Sequence, residues 1–106
     1  VQIADFEQLL NRRIEKLKST LLTKRAEYAQ GRDDVLHNLK QGAAFLRCTP
    51  QECLLAYVTK HLVGIVDLVQ SGQPVPEAVA DEKLGDAIVY MVLLEAIWNE
   101  GRNTGL

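Results

Sequence analysis

The chain has 106 residues, 47% of them apolar and 25% charged, with a formal net charge of −2. That is one globular domain, near the small end of what buries a sufficient core alone, so association with further copies would help it. The acidic balance argues against a nucleic-acid surface, which needs clustered Lys and Arg. No signal-peptide pattern and no apolar run of membrane-spanning length is found, which points to the cytoplasm and away from membranes. Residue 1 is Val rather than Met, which leaves the native N-terminus open.

Residues 4 to 30 carry the first pattern. Ile3, Phe6, Leu10, Ile14, Leu17 and Leu21 recur at steps of three and four, giving one apolar stripe on a long helix, and Gly31 is a natural stop. Asp33 or Asp34 can cap a second, shorter helix with Val35, Leu39, Ala43 and Leu46 along its inner side, ending near Cys48. "TPQE" is the sharpest local signal. Thr49 is an N-cap, Pro50 takes the first helical position, and Glu52 follows three residues after the cap, which makes a capping box. The third helix then runs to about Val69, and "QSGQPVP" is a loop. A fourth helix begins between Pro76 and Glu82 and runs to about Asn99, with "GRNTGL" as a frayed tail. Cys48 and Cys53 stand in a C-x4-C spacing that fits neither a zinc framework nor a redox pair, so two free thiols are expected. The expected fold is all-α: a four-helix bundle over residues 1–100, completed by oligomerisation, with a flexible tail at 101–106.

The third and fourth helices carry unusual polar positions. At about 100° per residue, Leu54, Leu55, Val58, Leu62, Ile65, Val66 and Val69 fall within about 120° of arc and should face the core. Ala56, Val63 and Leu68 lie outside that arc, so the helix is apolar on other sides too, as in a helix buried in a larger assembly. Its few charged groups are Lys60, His61 and Asp67, with Gly64 between; they read as a solvated stripe or as the wall of a pocket.

On the fourth helix Glu82 and Asp86 share a face with Val89, Leu93 and Ile97, and Tyr90 lies about 40° from Asp86. Carboxylates in a first helical turn are favoured by the dipole, which suits Asp81 and Glu82 better than Asp86. Two carboxylates about 5 Å apart at an effective dielectric of about 20 repel by roughly 3 kcal/mol. Water, Lys83 or Lys60, a shared proton or a divalent cation would have to offset that, and spacing alone does not choose between a metal site and a cap. A third polar cluster, Glu27, Tyr28, Asp33, Asp34, His37 and Asn38, marks the joint between the first two helices.

Four stretches, "KRAEYA", "DVLHNLKQGAAFL", "LLAYVTKHLVGIVDLV" and "DEKLGDAIVYMVLLEA", together resemble small phage and prophage proteins of the all-α nucleoside-triphosphate pyrophosphohydrolase group, the MazG-like and dimeric dUTPase-like families. The likeness covers about residues 15 to 98 and is strongest in "EKLGDAIVY". It implies a helical bundle assembled as a homodimer or homotetramer, which splits a nucleoside triphosphate into monophosphate and pyrophosphate with Mg²⁺ held by acids. On that resemblance Asp86 matches the family's metal-binding aspartate and forms the expected catalytic pair with Glu82; either the metal site is rebuilt from Glu82, Asp86, Asp67 and Glu27, or the chain binds nucleotide without that chemistry, or the site is lost. Lys60, His61, Tyr28, His37, Asn38 and Tyr90 contact the substrate. The chain departs from the family pattern in two places. Lys83 stands where a glutamate is expected three before Asp86, and no E-x-x-E pair occurs. The competing expectation is a non-catalytic helical module of phage origin that works through protein contacts.

Overall fold

A computed structural model describes residues 1–29 and 31–103, and their side chains except those of residues 26–28 and 103. Four helices follow in chain order: α1 (Ile3–Ala29), α2 (His37–Leu46), α3 (Pro50–Ser71) and α4 (Glu77–Asn103). No strand occurs among the described residues. α4 continues past the expected stop, so Gly101 and Arg102 are helical, and only residues 104–106 of the expected tail lie outside the described residues.

Local chemistry sets the boundaries. The Thr49 hydroxyl accepts the Glu52 N–H at 3.2 Å, and the Glu52 carboxylate accepts the Thr49 N–H at 3.0 Å. That reciprocal pair opens α3 as the sequence predicts. Bonding to the Thr49 N–H holds the Glu52 carboxyl below its ordinary range. α2 starts differently from expectation. Leu36 occupies the cap position, and Asp34 acts two residues earlier by accepting the Leu36 N–H at 2.9 Å. The same carboxylate accepts from Lys40 at 2.6 Å, and Lys40 also meets Glu100 of α4 at 2.8 Å. The Lys40 bond lowers the Asp34 pKa, and bonds to Asp34 and then Glu100 raise that of Lys40. α2 ends in a left-handed turn on Arg47, φ 57°, where the Cys48 N–H reaches back to the Ala43 carbonyl at 2.9 Å.

The packing follows from which residues meet. Arg13 and Lys16 of α1 reach Asp81 of α4, while Lys24, further along α1, lines a cavity with Asp86 and Tyr90, so α1 and α4 run parallel. Gln51 of α3 accepts the Trp98 indole N–H at 2.8 Å, while His61 meets Asp86, so α3 runs antiparallel to α4. α1 and α3 flank α4, and α2 packs on both flanking helices. At about 1.5 Å per residue α2 spans about 15 Å, against about 40, 33 and 40 Å for α1, α3 and α4. It therefore closes only the end where α1 stops and α3 begins.

The core sits at that end. Leu36, Leu39, Ala43, Cys53, Leu54, Val89 and Leu93 are buried together, with Leu17, Leu21 and Ile97 packed against them. Both cysteines are free, Cys53 buried and Cys48 half-buried, with burial pushing the Cys48 thiol up. Beyond α2 the three long helices form a trough with no fourth helix over it.

Two inward assignments from the spacing fail. Leu46 is exposed. On α3, Leu54 and Val58 are buried as expected, but Leu55, Leu62, Val66 and Val69 are 41–74% exposed. The helix is rotated so that His61, Gly64 and Leu68 turn inward instead. Gly64 lies on the inward face, and the Lys83 side chain of α4 lies over it, 3.8 Å from where a Cβ would stand. A helix apolar on most sides does not fix its buried face by pattern alone.

Candidate functional site

α4 lays the floor of the trough. Val89 and Leu93 are roofed by α2 and buried; Asp86 and Glu82, on the same stripe one and two turns earlier, lie beyond that roof. The change from apolar to acidic follows the end of α2. Asp86 is half-buried and Glu82 exposed, so solvent reaches both carboxylates and offsets much of their mutual repulsion.

The opening acids of α4 divide by direction. Asp81 turns to α1, where Arg13 stands 3.0 Å away and Lys16 bonds the other carboxylate oxygen. The Lys16 bond, with Arg13 behind it, holds the Asp81 carboxyl below its ordinary range. Gly85 makes room for this strut, since a Cβ there would stand 2.9 Å from an Arg13 guanidinium nitrogen. Lys83 turns to α3 and covers Gly64. Only Glu82 and Asp86 remain in the trough.

Asp86 has neighbours on both walls. Its Oδ2 is 3.7 Å from the His61 Nδ1 of α3, an ion-pair separation too long for a hydrogen bond. The His61 and Tyr90 rings are 5.4 Å apart and tilted by 38°, within the range of favourable ring contacts. Lys24 of α1 joins His61, Asp86, Val89 and Tyr90 around a cavity of about 180 Å³. A second cavity of about 270 Å³ lies between α1 and α4 and includes Thr20, Glu82 and Asp86. Both are below the roughly 300–1,000 Å³ of a pocket that encloses a drug-sized ligand. They suit a small ion or one phosphate group better than a whole nucleotide.

Of the residues singled out in the sequence, the fold brings Asp86 together with His61 and Tyr90 in one cavity and with Glu82 in the other. Lys60 and Asp67 are exposed on α3, on the side away from His61. They do not join the floor, so Asp67 does not complete a metal set with Asp86. His37 and Asn38 open α2 at the closed end and line neither cavity that holds Asp86. The side chains of Glu27 and Tyr28 lie outside the described residues. Among the described residues no three His, Cys, Asp or Glu side chains converge as a metal would require. Among the described residues the acids that line the cavities around Asp86 are Asp81, Glu82 and Asp86, and Asp81 is taken up by Arg13 and Lys16.

Lys24, Arg13 and Thr20 were missed. A signal for them existed. They interrupt the apolar edge of α1 at steps of seven and four, where a helix packed against apolar neighbours alone would continue with Leu or Ile. No family model, curated protein or solved structure matches this chain.

Proposed function

We propose that this chain is a helical association module, the subunit of a homo-oligomer, and that its role is carried by the assembly. The supporting observation is surface. The chain exposes 7787 Å² for a mass of 11.8 kDa. A folded monomer of that mass is expected to expose about 5,900 Å². The excess, about 1,900 Å², exceeds the roughly 800 Å² per partner that a standard interface buries. Shape agrees: the radius of gyration is 16.0 Å, against about 13 Å for a compact domain of this length. Much of the exposed apolar area lies in two helical stripes, on α1 and on α3, as at subunit contacts rather than on free surfaces. Sedimentation equilibrium between about 1 and 100 μM tests this; an oligomer is expected, and a monomer throughout would end the reading.

A second reading follows the resemblance: an Mg²⁺-dependent nucleoside-triphosphate pyrophosphohydrolase, or a nucleotide binder, of phage type. What favours it is Asp86, which lines one cavity with Lys24, His61 and Tyr90 and another with Glu82, so that carboxylates for a cation stand near a cation for phosphate. Calorimetric titration of Mg²⁺, then of a non-hydrolysable deoxynucleoside triphosphate with Mg²⁺, into wild type and Asp86→Asn separates the two. Metal-dependent binding lost in Asp86→Asn supports nucleotide chemistry. Binding in neither protein leaves association alone.

A further inference from the structure

We propose that Cys48 and Cys53 close into a disulfide within one chain, across the first turn of α3, when the chain meets a small-molecule disulfide such as oxidised glutathione. The proposal stands apart from both functional readings and concerns the joint between α2 and α3.

The C-x4-C spacing matches no redox motif along the chain. The helix cap brings the two thiols together. Thr49 is the N-cap of α3. Cys48 is therefore the residue before the cap and Cys53 the fourth helical residue, the two positions whose side chains meet over a helix start as a staple. Thr49 has φ −80° and ψ 158°. An extended residue at that point folds the chain back beside the first turn and sets the two Cα atoms about 6 Å apart, inside the disulfide range. The side chains agree. Cys48 packs against the cluster in which Cys53 is buried. Burial, then the neighbouring Cys53 thiol, push the Cys48 thiol up. Backbone bonds hold both ends of the loop: the Cys48 N–H donates to the Ala43 carbonyl at 2.9 Å and the Cys53 N–H to the Thr49 carbonyl at 3.0 Å. Little remains to be ordered before the sulfurs meet.

Exposure assigns the order of events. Cys53 is 0% exposed and Cys48 half-buried, so an external disulfide reaches Cys48 alone. The Cys48 thiolate attacks one sulfur of oxidised glutathione and the glutathione S–S bond breaks. The first glutathione leaves as a thiolate and takes up the proton that Cys48 gave to water. Cys53, beneath Cys48, then attacks the Cys48 sulfur. The second glutathione leaves outward and takes up the Cys53 proton. Two electrons pass from the protein thiols to the oxidant, giving one protein disulfide and two glutathione thiols. A raised Cys48 thiol leaves little thiolate at neutral pH, so the first step is slow. It also leaves the reduced form without thiolate stabilisation at Cys48, which favours the bond once made. The pair thus acts as a lock on the α2–α3 joint and not as a fast sensor.

The test equilibrates the full chain with graded mixtures of reduced and oxidised glutathione, folded and in urea, then quenches with iodoacetamide and reads intact mass. The expected product is a single chain lighter by two hydrogens and carrying no alkyl group. It should form in the folded chain at an oxidant ratio about 10- to 40-fold lower than in urea, the loop-closure factor for so short a loop. The oxidised chain should also melt above the reduced one by circular dichroism. Cys53→Ala should stop at one glutathione on Cys48, and folded Cys48→Ala should take up none. A wild type that keeps glutathione on Cys48, that links into covalent pairs, or that closes no more readily folded than unfolded overturns the proposal.

Discussion

Two helical glycines put opposite demands on the same substitution. At Gly64, in the middle of α3, a Cβ would meet only the end of the Lys83 side chain, at 3.8–3.9 Å, an ordinary contact. Gly64→Ala therefore keeps the full helix-propensity gain, about 1 kcal/mol. For a domain near 100 residues that raises Tm by about 4–8 °C. At Gly42, in α2, a Cβ would stand 3.1 Å from the Tyr57 hydroxyl and 3.2 Å from the Cys53 sulfur. Tyr57 can swing outward, but Cys53 is fully buried and has nowhere to go. Overpacking of that kind costs about 1–3 kcal/mol, which cancels or outweighs the gain of about 1 kcal/mol. Gly42→Ala should be neutral or lose up to about 2 kcal/mol. Thermal unfolding followed by circular dichroism, with all proteins at one concentration, reads the difference. If Gly42→Ala melts as high as Gly64→Ala, the close packing of α2 on α3 is wrong. If Gly64→Ala melts below wild type, Lys83 does not lie where the fold puts it.

Other outcomes follow from the caps and the charged struts. Thr49→Ala removes the capping box and should cost about 1 kcal/mol, read as a lower urea midpoint with unchanged slope. Arg47→Gly relieves a left-handed residue at φ 57° and should stabilise by up to about 1 kcal/mol in the same assay, net of the freer unfolded chain. The acids Asp34, Glu52 and Asp81 have lowered folded pKa values. Their stabilisation is complete above about pH 5 and is lost as pH falls through the lowered values. Lys40, Cys48 and Tyr57 have raised ones; their contributions are complete below their ordinary values and fade as pH rises through the raised ones. Urea midpoints should thus fall on an acid limb below about pH 5 and on an alkaline limb above about pH 8.5. Asp81→Asn should soften only the acid limb, and an unchanged acid limb would mean that the Lys16–Asp81 bond does not form in solution.

What the sequence made legible was what local rules decide. Thr49, Pro50 and Glu52 carry a motif whose geometry is complete within four residues, and the structure reproduces it. The number and order of the helices followed from periodicity and from Gly31 and Gly72, both at positive φ. The facing of α3 was not legible. Residues 54–69 are apolar in nearly every direction, so a best-fitting arc exists whichever face is buried. The contacts that α3 makes with α2 and α4 decided the matter, and no window of α3 contains them. The site shows the same division. Glu82 and Asp86 share a face by helix geometry alone, whereas Lys24 and His61 meet Asp86 only because α1 and α3 flank α4. Asp67 was grouped with them by residue type, but it lies six positions after His61, about 120° around the helix, on the other side.

The acids at the head of an apolar helix have one cause and a consequence. α4 needs carboxylates wherever its inner stripe runs out from under α2, because an apolar residue there would meet water in the separate chain. A helix meant to stay bare would be polar on every wall of that opening. Here the floor is acidic, while the flanking wall of α1 carries Leu10 and Ile14 and that of α3 carries Leu62 and Val69, all exposed. An acidic floor between apolar walls is poorly matched to water and poorly matched to a fully dry interface. It is matched to a cover that seals the walls and leaves a wet polar channel beneath. That arrangement links the two functional readings. If a second copy roofs the trough, the 180 Å³ cavity around Asp86 lengthens into a channel bounded by both subunits. Nucleotide or phosphate binding, where it occurs, should then fall with the dimer. Titrating phosphate into Leu10→Asp, at an exposed apolar position of α1, with its mass read by sedimentation, tests this: dissociation with affinity equal to wild type would assign the pocket to the single chain and separate assembly from binding.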